Sequence, residues 1–100
     1  MSRGIGLGDV VVRSTGVIET EVDGEIIALD VETAVCYGLN RVGSHIWRLM
    51  AVPVRVGDLR DQLLARFAVD AATCEQELLS LLGELDEQGL IKRQEQPARA

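Results

Sequence analysis

Basic side chains are in short supply in this sequence. Ten Lys and Arg stand against sixteen Asp and Glu, a formal net charge of −6. Affinity for nucleic acid comes largely from cations that displace counterions around phosphates, so no nucleic-acid partner is expected, although a small local basic patch is still compatible with this charge. Aromatic residues are scarcer: Tyr37, Trp47 and Phe67 are the only three, and Leu, Val, Ile and Ala must build the core. Two cysteines, Cys36 and Cys74, are too few and too far apart for a CxxC or zinc pattern; they are expected as reduced, partly buried thiols, with no metal site. The single histidine, His45, follows Ser44 directly. Adjacent helical residues point to different sides of the cylinder, so the two do not make a nucleophile–base pair. No apolar run approaches the roughly 18 residues that span a bilayer. The N-terminus carries one Arg and a Gly-rich stretch instead of an apolar signal core. These absences predict a cytoplasmic protein with no membrane partner, no cofactor and no catalytic residues.

What remains is 47% hydrophobic and 26% charged, the balance of one globular domain with a modest core. Residues 1–8 are expected as a flexible lead-in, 9–92 as the domain and 93–100 as a disordered polar tail. β-Branched residues dominate Val10 to Arg13 and Val17 to Val22, and in the second run Ile18, Thr20 and Val22 alternate with Glu19 and Glu21. That period of two marks a half-exposed strand. Asp23-Gly24 is a strong hairpin signal, Glu25 to Asp30 the returning strand, and Ala34 to Tyr37 a third strand.

The period then changes. Asn40 is an N-cap, after which Val42, Ile46, Leu49 and Met50 share a helical face with Trp47 beside it, and Pro53 stops the helix. A second helix starts near Val56 without a good capping residue and carries Leu59, Leu63, Leu64 and Phe67. Asp70 or Thr73 caps a third, which Gly89 ends, and Leu90 and Ile91 return to the core. The expected fold is α+β and winged-helix-like, a three-stranded antiparallel sheet followed by three helices.

The third helix carries Cys74, Leu78, Leu81 and Leu85 in one stripe, with Leu79 and Leu82 widening it, and Glu75, Glu77, Glu84, Asp86 and Glu87 around it. Two readings fit. One is a wide core face with a solvated acidic edge; the other is the wall of an apolar groove with an acidic rim. The third strand bears on the choice. A sheet edge is a row of unpaired amides and carbonyls, usually blunted by charge or Pro. Ala34-Val35-Cys36-Tyr37 has neither. The edge is covered by another element, pairs in a dimer, or takes up an extended peptide as an added strand.

The order of these elements resembles the PqqD-like family, the peptide-recognition modules of ribosomal-peptide biosynthesis. The resemblance rests on Ile27-Ala28-Leu29-Asp30, Tyr37-Gly38-Leu39-Asn40, Val42-Gly43 with Ile46-Trp47, the VGDLRDQLLARFAVD segment and the closing LLGELDEQGLI from Leu81 to Ile91. Within the family, the free-standing recognition proteins of lasso-peptide pathways look most similar. The resemblance implies that the chain binds the leader segment of a precursor peptide and presents it to a cysteine-protease-like leader peptidase and an ATP-dependent cyclase. It implies strand addition along Thr33, Ala34, Val35, Cys36 and Tyr37. Pockets at Val35, Tyr37, Leu78, Leu79, Leu82 and Leu85 would take leader side chains, and Glu75, Glu77 and Asp86 would meet basic leader residues. Two positions depart from the family pattern, Leu81 where an aromatic is common and Glu77 where Asp is.

Three other functions would also have to fit these residues. A precursor chaperone for a radical SAM enzyme of the pyrroloquinoline quinone pathway would bind in nearly the same way. A winged-helix DNA-binding protein needs a basic recognition helix, whereas the third helix is acidic and Arg41, Arg48, Arg55, Arg60 and Arg66 are spread over the other two. An enzyme would need more than Asp58, Arg60 and Asp61, which read as surface helix charges. A monomer or weak homodimer is expected.

Overall fold

Asp23 and Gly24 take φ values of 55° and 82°, the left-handed pair that a two-residue hairpin turn demands. That turn sets the register of β2 (Val17–Val22) against β3 (Glu25–Asp30), from Val22↔Glu25 back to Val17↔Asp30, in the computed structural model, which describes residues 4–94. β4 (Cys36–Gly38) adds to the other side of β3, with Ala28 opposite Tyr37.

The third strand begins two residues later than the sequence suggests, because Asp30 holds the preceding turn. Its Oδ1 accepts from the amides of Glu32 and Thr33 at 2.9 and 3.3 Å, and its carbonyl accepts from Ala34 N at 2.8 Å. Thr33 and Ala34 therefore belong to a turn, Ala34 at a φ of 62°.

A second three-stranded sheet was not foreseen. β1 (Val10–Arg13) does not join β2; it lies between β5 (Val54–Arg55) and β6 (Ile91–Gln94), antiparallel to both. Arg93 and Gln94, assigned to a polar tail, thus pair with Val11 and Val10 as strand residues. The rest of that tail, 95–100, lies outside the described residues, as does 1–3 of the lead-in.

The described part of the lead-in is structural. Ile5 and Leu7 pack on the core. Helix α2 (Val56–Arg66) has no side-chain cap, as its sequence implied, and the lead-in supplies the missing acceptors. Val56 N donates to the Asp9 carbonyl and Gly57 N to the Leu7 carbonyl, each at 2.9 Å. A Cβ at Gly57 would stand 3.4 Å from the Leu7 oxygen, so that backbone approach is tight.

The other two helices are capped by their own side chains. Asn40 Oδ1 accepts from Gly43 N at 2.8 Å before α1 (Arg41–Leu49), and Asp70 Oδ2 from Thr73 N at 3.0 Å before α3 (Ala71–Glu87). Gly89, at a φ of 76°, turns the chain out of α3. It delivers the buried Leu90 and Ile91 to the core.

Trp47 lies at the centre of the protein, with no exposed surface. Its Nε1 donates to Glu19 Oε1 at 2.7 Å, while Arg13 lies 5.1 Å over the ring and pairs with the same carboxylate oxygen at 2.9 Å. One cluster thereby joins β1, β2 and α1. Ser44 ties α1 to β3: buried, it accepts from Ile26 N at 2.7 Å and donates to the Leu39 carbonyl at 3.1 Å. Its hydroxyl is fully engaged in that role.

Two sequence patterns hold in form but turn in sense. The alternation in β2 is present, yet Glu19 and Glu21 point to the helix side of the sheet, against Trp47, Arg13 and Arg48. Ile18 and Val22 are left 56% and 58% exposed on the outer side. In α3 the inward stripe is Cys74, Leu78, Leu82 and Leu85, and Leu81 lies beside it, half-buried. At 3.6 residues per turn both stripes fit one helix, and the packing of α1 and α2 selects between them.

Candidate functional site

The two sheets present four strand edges, and three carry the usual protection. β5 is two residues long and follows Pro53, β6 carries Lys92 and Arg93, and β2 carries Glu19 and Glu21. β4, Cys-Tyr-Gly, has neither charge nor proline.

Pairing geometry shows which backbone groups β4 leaves free. Val35 O accepts from Asp30 N at 2.9 Å and Leu39 N donates to Ile26 O at 2.8 Å, so the hydrogen-bonded pairs fall at 35, 37 and 39. By alternation the amides and carbonyls of Cys36 and Gly38 point away from β3. Nothing stands within 4 Å of a Cβ built on Gly38, and Cys36 is exposed. The edge is open among the described residues.

Beside it runs a groove of about 470 Å³. Tyr37 to Asn40 and the first turn of α1 form one wall. Thr73, Glu77 and Leu81 of α3 form the other, and the end of α2 with Phe67 and Val69 closes one end. Cys74, Leu78, Ile46 and Leu63 supply the floor. From Thr73 to Leu81 the α3 wall is ~12 Å long at 1.5 Å per residue, room for about four residues of extended chain at ~3.3 Å each.

Tyr37 spans the space from β4 to α3, donating its hydroxyl to Glu84 Oε1. That bond first, then burial and the Glu84 charge, push its pKa up to about 12, so the phenol keeps its proton and remains a donor at any ordinary pH. Glu77 and Glu84 make the rim on this side acidic, and α3 contains no Lys or Arg that would offset them.

The residues singled out from sequence do not all meet here. Tyr37 and Leu78 line the groove, and Cys36 forms the edge above it. Thr33 and Ala34 lie in the turn before the strand, and Val35 leads out of that turn. Leu82 and Leu85 are wholly buried behind the groove wall. Glu75, Leu79 and Asp86 lie on another flank of α3, ~160° around the helix from Glu77 in the case of Glu75. Glu75 is also engaged there, accepting from Arg60 Nη1 at 3.2 Å.

Several groove residues were missed: Leu81 as a wall, Val42 just inside α1, and Phe67 and Val69 just before the α3 cap. Val42 and Val69 are 39% and 46% exposed. Their signal was an apolar side chain flanking a capping residue, where a solvated helix end would carry a polar one. His45 lies outside the groove lining, its ring edge-on to Phe67 at 5.9 Å. Burial first, then Arg66 and Arg48, hold its pKa below the ordinary value.

Among known proteins, no curated protein matches the chain. Two solved structures share its fold. A structure of TbiB1 in complex with the TbiA(beta) leader peptide superposes at a TM-score of 0.76 and 29% identity, covering 85% of this chain and 99% of that one. A lasso peptide synthetase B1 complexed with the leader peptide superposes at 0.67 and 17% identity, covering 82% and 96%. The family model for coenzyme PQQ synthesis protein D, PqqD, matches residues 25–91. That span takes in the open edge, the groove and all three helices: the chain belongs to the PqqD family.

Proposed function

We propose that this protein binds the leader segment of a ribosomally made precursor peptide, of the lasso class, as an added strand beside β4. It then presents that peptide to a leader peptidase and an ATP-dependent cyclase of the same pathway. The observation that carries this reading is the open β4 edge beside an apolar groove. Main-chain pairing at Cys36 and Gly38 supplies affinity for any extended chain, and the groove selects alternate side chains.

The energetics are of the right size. Micromolar binding corresponds to about 8 kcal/mol, and ordering a disordered leader consumes roughly 2–5 kcal/mol of the gross interaction. Two or three apolar side chains buried between Leu81, Phe67 and Val42, at roughly 1.5–3 kcal/mol each, together with strand pairing, cover the difference. Glu77 and Glu84 favour a basic leader residue next to the apolar anchor, with an attraction that weakens as salt rises.

The arginines speak against the DNA-binding alternative, since Arg13, Arg48, Arg55 and Arg60 are each paired with a carboxylate. The chain's part is binding, and the chemistry belongs to its partners. Titration with labelled leader peptides tests this directly. Leu81→Lys should weaken binding at least tenfold, whereas Glu87→Ala, at the C-terminal end of α3 beyond the groove lining, should leave it within twofold. Equal small effects would remove the groove from the reading. A leader from a pyrroloquinoline quinone pathway binding more tightly than lasso leaders would reassign the precursor.

A further inference from the structure

A second hollow, of about 520 Å³, lies at the hairpin end of the β2-β3-β4 sheet. It opens between the hairpin tip, with Val22, Asp23, Glu25 and Ile27, and the turn from Gly38 to Asn40. Register explains why it exists. β3 begins at Glu25, but β4 pairs with it only as far as Ile27↔Gly38, after which Leu39 N closes onto the Ile26 carbonyl. The chain then leaves for α1 at Asn40, and the hairpin projects past it. A notch remains where a longer β4 would have continued.

Two chemistries meet in this notch. Its walls are apolar: Val22 and Ile27 are exposed, and Ile26 and Leu39 are buried at its base. Its rim carries Asp23 and Glu25, both exposed and neither in an ion pair among the described residues. Arg41, next along the chain from Asn40, neither lines the notch nor pairs with these carboxylates. An apolar wall that ends at free carboxylates suits a Lys or Arg, whose methylene stem lies on apolar surface while its charged head stays at the wet rim.

Position names the occupant. Notch and groove share Gly38, Leu39 and Asn40, so a chain leaving the β4 edge at its Gly38 end comes directly to the notch. Every pairing in this sheet is antiparallel, and antiparallel pairing is slightly the more stable per residue. A strand added in that sense runs from Gly38 towards Cys36. The residues that reach the notch are then those just before its paired segment, and the ~4.8 Å between strands is a gap that a long side chain crosses.

We propose that the notch is a second subsite for the bound peptide, holding a Lys or Arg upstream of the segment paired with β4. That residue stands within about three positions of the segment, ~10 Å of extended chain. The inference rests on strand addition at β4 and gives the bound peptide a direction, because a reversed strand would bring downstream residues to the notch instead.

The test uses the full chain and a labelled leader peptide that binds it, with the paired segment located by N-methyl scanning. Lys, Ala or Glu is placed in turn at the flanking positions on either side. At one upstream position affinity should fall from Lys through Ala to Glu, at least fivefold overall at low salt. In Asp23→Asn/Glu25→Gln that preference should vanish, while a peptide that begins at the paired segment binds within twofold of the parent. Asn suits the left-handed backbone of residue 23, so the hairpin turn is kept. Asp58→Asn/Asp61→Asn makes the same change of charge on α2 and should leave the preference intact.

No upstream preference in a peptide that still binds would overturn the notch alone. So would a preference that survives the hairpin variant, or one that the α2 variant abolishes equally. A downstream preference abolished by the hairpin variant would overturn the proposed direction. Failure of the parent to bind any leader peptide would instead remove strand addition, and this inference with it.

Discussion

The two edges of the β2-β3-β4 sheet have opposite fates. At β2, Glu19 and Glu21 turn toward the helices and are held by Trp47, Arg13 and Arg48, an inward charge that guards an edge against unwanted pairing. At β4, three uncharged residues end in a glycine beside an apolar groove. In so small a protein, an exposed edge is a liability unless something is meant to occupy it. Protection at three edges and its absence at the fourth is thus more informative than either alone.

The helix beside the open edge provides the largest test. Leu82→Ala, behind the groove wall, should destabilise the fold by about 2–5 kcal/mol in chemical denaturation. Leu81→Ala, on the wall itself, should change stability by under ~1 kcal/mol and act on peptide binding instead. If Leu81 proved the more destabilising of the two, α3 would be rotated from its described face.

Next comes the guarded edge. Glu19→Ala leaves the buried Trp47 indole N–H without its acceptor and should lower stability by about 1–3 kcal/mol, while leader affinity stays within a few-fold. A matched pair of prolines then compares the edges themselves. Gly38→Pro removes an outward N–H from β4 and should weaken leader binding about tenfold, near 1.4 kcal/mol, with little change in melting temperature. Glu21→Pro removes the equivalent outward N–H from β2 and should leave leader affinity unaltered. Equal losses would mean that the peptide does not discriminate between the edges.

The smallest effect concerns pH. The folded pKa of His45 is held below its ordinary 6.5 by burial and by Arg66 and Arg48. The fold therefore favours the neutral ring. This contribution is complete above about pH 6.5 and is lost as pH falls through the lowered folded value. Stability measured from pH 7.5 to 5 should decline more in the parent than in His45→Gln. Identical slopes would show that His45 does not contribute.

Much of the fold was legible because its signals are local. The Asp23-Gly24 turn, the Asn40 and Asp70 caps and the Gly89 stop each depend on a few neighbouring residues, and each stands where the sequence put it. The candidate site was legible in outline, as an uncharged third strand beside an acidic, leucine-rich helix. Its residues were sorted less well. Leu81 and Leu82 are adjacent and chemically identical, and only the positions of α1 and α2 say which one looks inward. Glu75 and Glu77 were read as one acidic edge, yet Arg60 holds Glu75 on another flank.

By itself, then, the sequence determined the three helices with their caps, the β2-β3 hairpin and the family, since backbone dihedrals, caps and turn residues act within a few positions of themselves. Tertiary structure alone decided that β1 pairs with β5 and the late β6 instead of β2, and that the leucine stripe of α3 faces as it does. It also decided that the apolar side of β2 faces outward. Each of these is a competition between alternatives that local pattern leaves equal. Contacts made across tens of residues resolve them: Arg13 and Glu19 around Trp47, the Leu7 and Asp9 carbonyls at the uncapped start of α2, and Ser44 against β3.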